Sequence, residues 1–156
     1  FDLEFTYYTI TEALEARQDI YFIFMNTQVG LPPHERVIPI KGSPDKDYKV
    51  KFINTCDAML HGRHAGETFG LAVAEFEKQH KPVITYSEGR FKGYIDFLST
   101  EAYFYRDSSD LLRILLHFNR EMNVHPEKLE NICIPEKCMS KFSEYFLRAI
   151  HEYKGT

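Results

Sequence analysis

Tryptophan is absent from this sequence of 156 residues, and cysteine occurs only three times, at Cys56, Cys133 and Cys138. So sparse and odd a set, without metal-ligand spacing, argues against a disulfide framework and predicts reduced thiols in a cytoplasmic setting. No apolar run approaches the roughly 20 residues needed to span a bilayer, and no basic-then-apolar leader opens the chain. Positive charge is in short supply as well. With 19 Lys and Arg against 23 Asp and Glu, the net charge is -4, so nucleic acid is not an expected partner. Neither Gly-x-Gly-x-x-Gly after a strand nor Gly-x4-Gly-Lys-Ser/Thr is present, which removes the nicotinamide and P-loop readings. An initiator methionine is also missing: the chain opens on Phe1, and it reads as an excised piece or a processed form.

What the sequence does contain is apolar material: 44% hydrophobic residues, with 13 Phe and 10 Tyr. That suffices for a packed globule and argues against disorder, and the length suits one core. Leu3, Tyr7, Ile10 and Leu14 form one stripe of a helix ending near Asp19, with Asp2 as its cap. Ile20 to Met25 is a short, wholly apolar run, as expected of a strand buried on both faces of a parallel sheet. Val37 to Ile40 is a second strand, and Asp45 to Thr55 a short helix capped by Ser43 or Asp45. Ala58 to Leu60 is a third strand, ending at His61. Thr68 to Gln79 is a helix with Leu71, Ala72, Ala74 and Phe76 as its apolar face, and Pro82 to Thr85 a fourth strand.

Gly89 to Gly93 reads as a loop, and Ala102 to Tyr105 as a fifth strand. Ser108 or Ser109 caps a helix carrying Leu111, Leu112, Leu115, Leu116 and Phe118. A last helix from about Pro135 bears Met139, Phe142, Phe146, Ala149 or Ile150, and Tyr153. Alternating strands and helices predict an α/β, Rossmann-like three-layer domain over residues 1–120, with a mostly parallel sheet of about five strands. Residues 121–156 are expected to be a linker and a helical extension packed on the same domain. The aromatic cluster Phe91, Tyr94, Phe97, Tyr103, Phe104 and Tyr105 is expected mostly in the core.

In an open parallel sheet, ligands bind where strand carboxyl ends lead into helices. The loop from His61 to Leu71 stands out there, with glycines at 62, 66 and 70, two histidines, Arg63 and Glu67. A helix start exposes free N–H groups and a partial positive charge, which suits phosphate. Gly70 would let that phosphate approach the backbone. Glu67 and Glu75 would repel it, so both are expected to accept hydrogen bonds from sugar hydroxyls. A ligand with hydroxyls on both sides of a diphosphate is a nucleotide-sugar. A metal reading through Cys56, His61, His64 and Glu67 fails on position, because Cys56 lies at the opposite end of the strand.

Glu67 to Glu75 with Phe69-Gly70-Leu71 inside, flanked by 51–61 (KFINTCDAMLH) and 81–85 (KPVIT), resembles the signature of glycosyltransferase family 4, the "glycosyl transferases group 1" domain. The likeness covers roughly residues 1 to 120. It implies a retaining transferase of the GT-B fold, of which this would be the C-terminal, donor-binding domain. Glu67 would contact the donor sugar as the catalytic-site carboxylate, the Gly70 and Leu71 amides the diphosphate, and Glu75 the ribose. Gly66, Thr68 and Phe69 would complete the donor loop, and Arg63 or His64 would add positive charge. The family's first strand, with its glycine-rich turn and basic residues, is not recognisable here, nor is the N-terminal acceptor domain, which would be a partner. The resemblance implies no cofactor and no metal. The alternative is a non-catalytic domain that keeps this fold as a protein-interaction module. A sugar-nucleotide epimerase of GT-B shape is disfavoured by the Phe69-Gly70-Leu71 context.

Overall fold

A computed structural model of the chain describes residues 3–99, 102–120 and 134–144, without the side chains of Phe97, Cys138, Lys141 and Phe142. The elements run α1 (Glu4–Ala16), β1 (Phe22–Met25), β2 (Val37–Ile40), α2 (Lys46–Thr55), β3 (Met59–His61), α3 (Leu71–Lys78), β4 (Val83–Tyr86), a 3-10 turn (Gly93–Phe97), β5 (Tyr103–Tyr105), α4 (Ser108–His117) and α5 (Pro135–Phe142). The chain is therefore α/β, with Rossmann-like layering. The expected cap Asp2, the linker 121–133 and the stripe residues Phe146, Ala149, Ile150 and Tyr153 lie outside the described residues.

All strand pairs are parallel, but the expected single sheet is divided. β1 pairs with β2, Phe22 opposite Val37, while β3, β4 and β5 form a separate sheet in that order. Pro39 sits in β2 opposite Phe24. A strand residue without an N–H is tolerated at an edge, and β2 has no second neighbour among the described residues.

Alternation along each strand sorts side chains into two faces. On one face Val83 packs with Ile53 of α2 and with Val73 and Phe76 of α3. On the other, Ile84 packs with Ala13 of α1 and with Leu111, Ile114 and Leu115 of α4. Helices thus cover both sides of β4, whose Val83 and Ile84 are buried on opposite faces. The expected burial of β1 on both faces is not met, since only Phe24 is buried in it and Tyr21 just before it is exposed. A further cluster of Ile10, Leu14 and Phe24 joins α1 to β1. Each such fully buried aliphatic side chain contributes about 1.5–3 kcal/mol.

Several boundaries differ from the sequence expectation, and the causes are local. Thr68 and Phe69 are not helical. Gly70 has φ +75, a left-handed conformation that ends any helical path, so α3 starts at Leu71. The face that α3 buries also differs from the expected one, with Val73, Phe76 and Glu77 inside and Leu71 and Ala72 facing outward. α4 is capped by Asp107, not Ser108 or Ser109, because its carboxylate accepts from the Asp110 amide at 2.8 Å. Its buried face includes Ile114, which the stripe had omitted, while Leu112 and Leu116 are half-buried. Asp45 is the cap of α2, accepting from the Asp47 amide. α1 stops at Ala16, short of Asp19, where the Arg17 amide closes on the Ala13 carbonyl. Ile20, Tyr21, Ala58, Pro82 and Ala102 fall just outside their strands.

Within the aromatic cluster, Tyr94 and Tyr105 are fully buried, but Phe91 and Phe104 are exposed. Among the described residues no helix is long and apolar enough to cross a membrane.

Candidate donor site

β3 ends at His61, and the chain then loops through Gly62 to Gly70 into α3. This loop is fastened to the one after β4. The Glu67 amide donates to the Phe91 carbonyl at 3.1 Å, and the Phe91 amide to the Ala65 carbonyl at 2.9 Å. The fit is too close for side chains. A Cβ on Gly66 would stand 2.0 Å from the Phe91 carbonyl oxygen, and one on Gly93 would stand 1.9 Å from that of Thr68. Gly66 also has φ +72. Gly66 of the expected donor loop and Gly93 of the loop facing it therefore lock the two loops together, a role that spacing alone did not distinguish from phosphate approach.

Glu67 projects from this clasp. Its Oε1 lies 3.5 Å from the Nε2 of His61 and 3.5 Å from the Nε of Arg63. Arg63 is half in solvent at 56% exposure, Glu67 is 30% exposed and His61 only 5%. Behind His61 a relay runs into the core. Its Nδ1 meets the Thr85 hydroxyl at 2.8 Å, Thr85 meets Tyr94 at 3.2 Å, and the Tyr94 hydroxyl donates to the Tyr86 carbonyl at 2.8 Å. Tyr94's single proton is committed to Tyr86, so the Thr85 proton goes to Tyr94 and the His61 Nδ1–H to Thr85. The ring is thus held with Nε2 toward Glu67. Burial raises the Tyr94 hydroxyl above its ordinary pKa, Thr85 partly offsetting this and Glu67 adding to it.

Gly70 supplies no capping side chain to α3. The first-turn amides, including that of Leu71, are consequently left for an outside acceptor. Gly70 lies close to Glu67, since a Cβ there would be 3.4 Å from Oε2. Phe69 and Leu71 flank the helix start and are exposed, Leu71 at 72%. Thr68 and His64 are exposed too, and the His64 ring tilts over Tyr86.

Glu75 stands on the first turns of α3 and forms an ion pair with Lys49 of α2 at 2.8 Å. Both line a cavity of about 1020 Å³ that Glu67 does not reach. The two carboxylates are therefore on one helix and its entry loop, each beside its own cation. Lys49 and Thr85 were not among the residues singled out from sequence, whereas His61 had been weighed only as a loop residue or metal ligand and Tyr94 only as a member of the aromatic cluster. Cys56, at the far end of β3, bonds its thiol to the Phe52 carbonyl, and burial raises its pKa.

Compared with known proteins, the chain matches no family model, no curated protein and no solved structure.

Proposed function

We propose that this chain is the donor-binding domain of a retaining glycosyltransferase of the GT-B type, which transfers a sugar from a nucleotide-sugar to an acceptor. The observation that carries the reading is an α3 start without a capping side chain, flanked by Glu67 and Glu75, each with a neighbouring cation. In this reading the Gly70 and Leu71 amides take diphosphate oxygens, where fixed dipoles stabilise the charge that develops on the leaving group. Glu67 accepts from donor-sugar hydroxyls, and the Arg63 guanidinium beside it, 3.5 Å away, orients the carboxylate. Glu75 accepts from ribose hydroxyls, exchanging part of its pairing with Lys49. Arg63 and His64 add positive charge at the diphosphate, and Gly66, Thr68 and Phe69 shape the loop. The acceptor would be held by the N-terminal domain of such an enzyme, and the sparse cysteines accord with a cytoplasmic setting.

The test is a calorimetric titration of the chain with UDP, GDP and ADP and their sugar conjugates. One nucleotide is expected to bind. Glu75→Ala should weaken nucleotide and conjugate alike by roughly tenfold or more, the scale of a lost charge-assisted hydrogen bond. Glu67→Gln should weaken the sugar conjugate and leave the free nucleotide unchanged. Absence of binding at millimolar nucleotide, to this chain and to one extended ahead of residue 1, would sink the reading in favour of a protein-interaction module.

A further inference from the structure

The 3-10 turn Gly93–Phe97 and the residues just after it run beside α3 in the same direction, matched step by step. Gly93 closes on Thr68, where an added Cβ would stand 1.9 Å from the carbonyl oxygen. Tyr94 stands against Gly70, its Cβ 3.1 Å from the place a Gly70 Cβ would take. Tyr94 and Leu98, both fully buried, share a cluster with Val73 and Phe76 of α3. At the far end Ser99 meets Glu77. Its amide donates to Oε2 at 3.3 Å and its hydroxyl to Oε1 at 3.2 Å. Segment 93–99 is thus a strap laid along α3 and tied at both ends.

Glu77 has no exposed surface, and Ser99 is buried with it. A carboxylate in this position is unfavourable twice over. Burial strips its hydration, and the last turn of a helix presents the negative end of the helix dipole. An apolar side chain would fill the same space without either cost, so what distinguishes Glu77 is the pair of donors it holds. We propose that Glu77 is a positioning residue for the loop from His61 to Gly70, acting through the strap. By holding Ser99 it keeps Gly93 and Tyr94 seated against Thr68 and Gly70 at the start of α3.

Two contacts carry the position of the strap to the loop. Just ahead of Gly93, Phe91 is bridged to Gly66 and shares backbone hydrogen bonds with Ala65 and Glu67. Within the strap, the Tyr94 hydroxyl meets the Thr85 hydroxyl and the Tyr86 carbonyl, and Thr85 holds the His61 ring. A strap released at Ser99 can shift along α3, and both contacts shift with it. The effect on ligand rests on the donor-site reading, whereas the effect on the loop does not.

Amide hydrogen exchange followed by NMR on the whole chain tests it. The Glu67 and Phe91 amides report on the loop, and the Asn26 amide, bonded to Ile40 in the other sheet, is the control. Glu77→Met keeps the length of the side chain and removes both acceptors. It should speed the two reporters by about tenfold and Asn26 by less than about twofold. Glu77→Gln should bring the reporters back to within about threefold of native, since its oxygen still accepts from the Ser99 amide and its NH2 donates to the hydroxyl oxygen. Ser99→Ala is milder and should speed the reporters by about threefold, which decides the matter if Glu77→Met does not fold. Equal acceleration of all three amides overturns the proposal, because Glu77 then supports the fold as a whole. Unchanged reporters overturn it too, as does a Gln variant as fast as the Met one. In calorimetry with the UDP, GDP and ADP sugar conjugates, Glu77→Met should weaken whichever one the native chain binds by about tenfold, and Glu77→Gln should recover it. Unchanged affinity with a loosened loop overturns the positioning role. If the native chain binds none, the donor-site reading fails and the exchange result alone decides.

Discussion

The Nε2 of His61 lies 3.5 Å from the Oε1 of Glu67, while the other ring nitrogen is held at 2.8 Å by Thr85. A nearly buried imidazole thus connects a half-exposed carboxylate at the loop to a hydroxyl relay inside the sheet. Replacing it removes packing against Tyr94, whose ring centroid is 5.0 Å away, and strands Thr85. His61→Ala should cost about 2–4 kcal/mol. Urea unfolding measures this, and a change below about 0.5 kcal/mol would show that the relay does not support the site.

The loop clasp makes a graded prediction. Gly66→Ala and Gly93→Ala each drive a Cβ to within about 2 Å of a backbone oxygen on the facing loop, which must then move. Gly70→Ala meets nothing closer than the Tyr94 Cβ at 3.1 Å, so its cost comes mainly from φ +75. Gly70→Ala should lose about 1–2 kcal/mol, and the other two more than that. Thermal unfolding of the three variants should rank them in that order. If Gly70→Ala is the worst, the clasp is not what these glycines serve.

Arg36 reaches across from the start of β2 to the end of α1. Its guanidinium donates to the Leu14 carbonyl at 2.6 Å and to that of Arg17, where the helix leaves acceptors unfilled. Arg17 in turn donates to the Leu115 and Phe118 carbonyls at the end of α4. Arg36→Met should destabilise by about 2–3 kcal/mol, and Arg36→Lys by less, since one ammonium cannot match two separated acceptors in the same fork. Denaturant midpoints of the two variants would check the ranking.

Tyr105 is fully buried and donates to the His61 carbonyl at 3.0 Å. Burial raises its pKa above the ordinary value of 10.0. The folded state therefore keeps the neutral phenol while the unfolded chain releases its proton. The contribution is complete below pH 10 and declines as pH rises from there through the raised folded value, by about 1.4 kcal/mol per pH unit. Tyr94 is shifted in the same direction. Melting temperatures between pH 8 and 11.5 should fall more steeply for the native chain than for Tyr105→Phe. Parallel curves would contradict this.

Much of the fold was legible along the chain. Val37 to Ile40 was located correctly, Asp45 was one of the two caps offered for α2, and all five strands were placed to within two residues, because apolar runs and short polar side chains act through neighbours in sequence. Helix starts were less legible. Nothing local says that Gly70 adopts a positive φ or that Asp107 outcompetes Ser108, since both depend on the direction from which the loop arrives.

The sequence by itself determined the α/β alternation and the identity of Glu67, Glu75 and the glycines between and around them. Only the tertiary structure decided what those residues touch. Lys49 reaches Glu75 across 26 positions, and Thr85 reaches His61 across 24. Likewise, the separation of the strands into two sheets depends on which edges meet. Periodicity reports which face of an element is apolar, whereas pairing and side-chain contact depend on chain paths that bring distant segments to within a few ångströms.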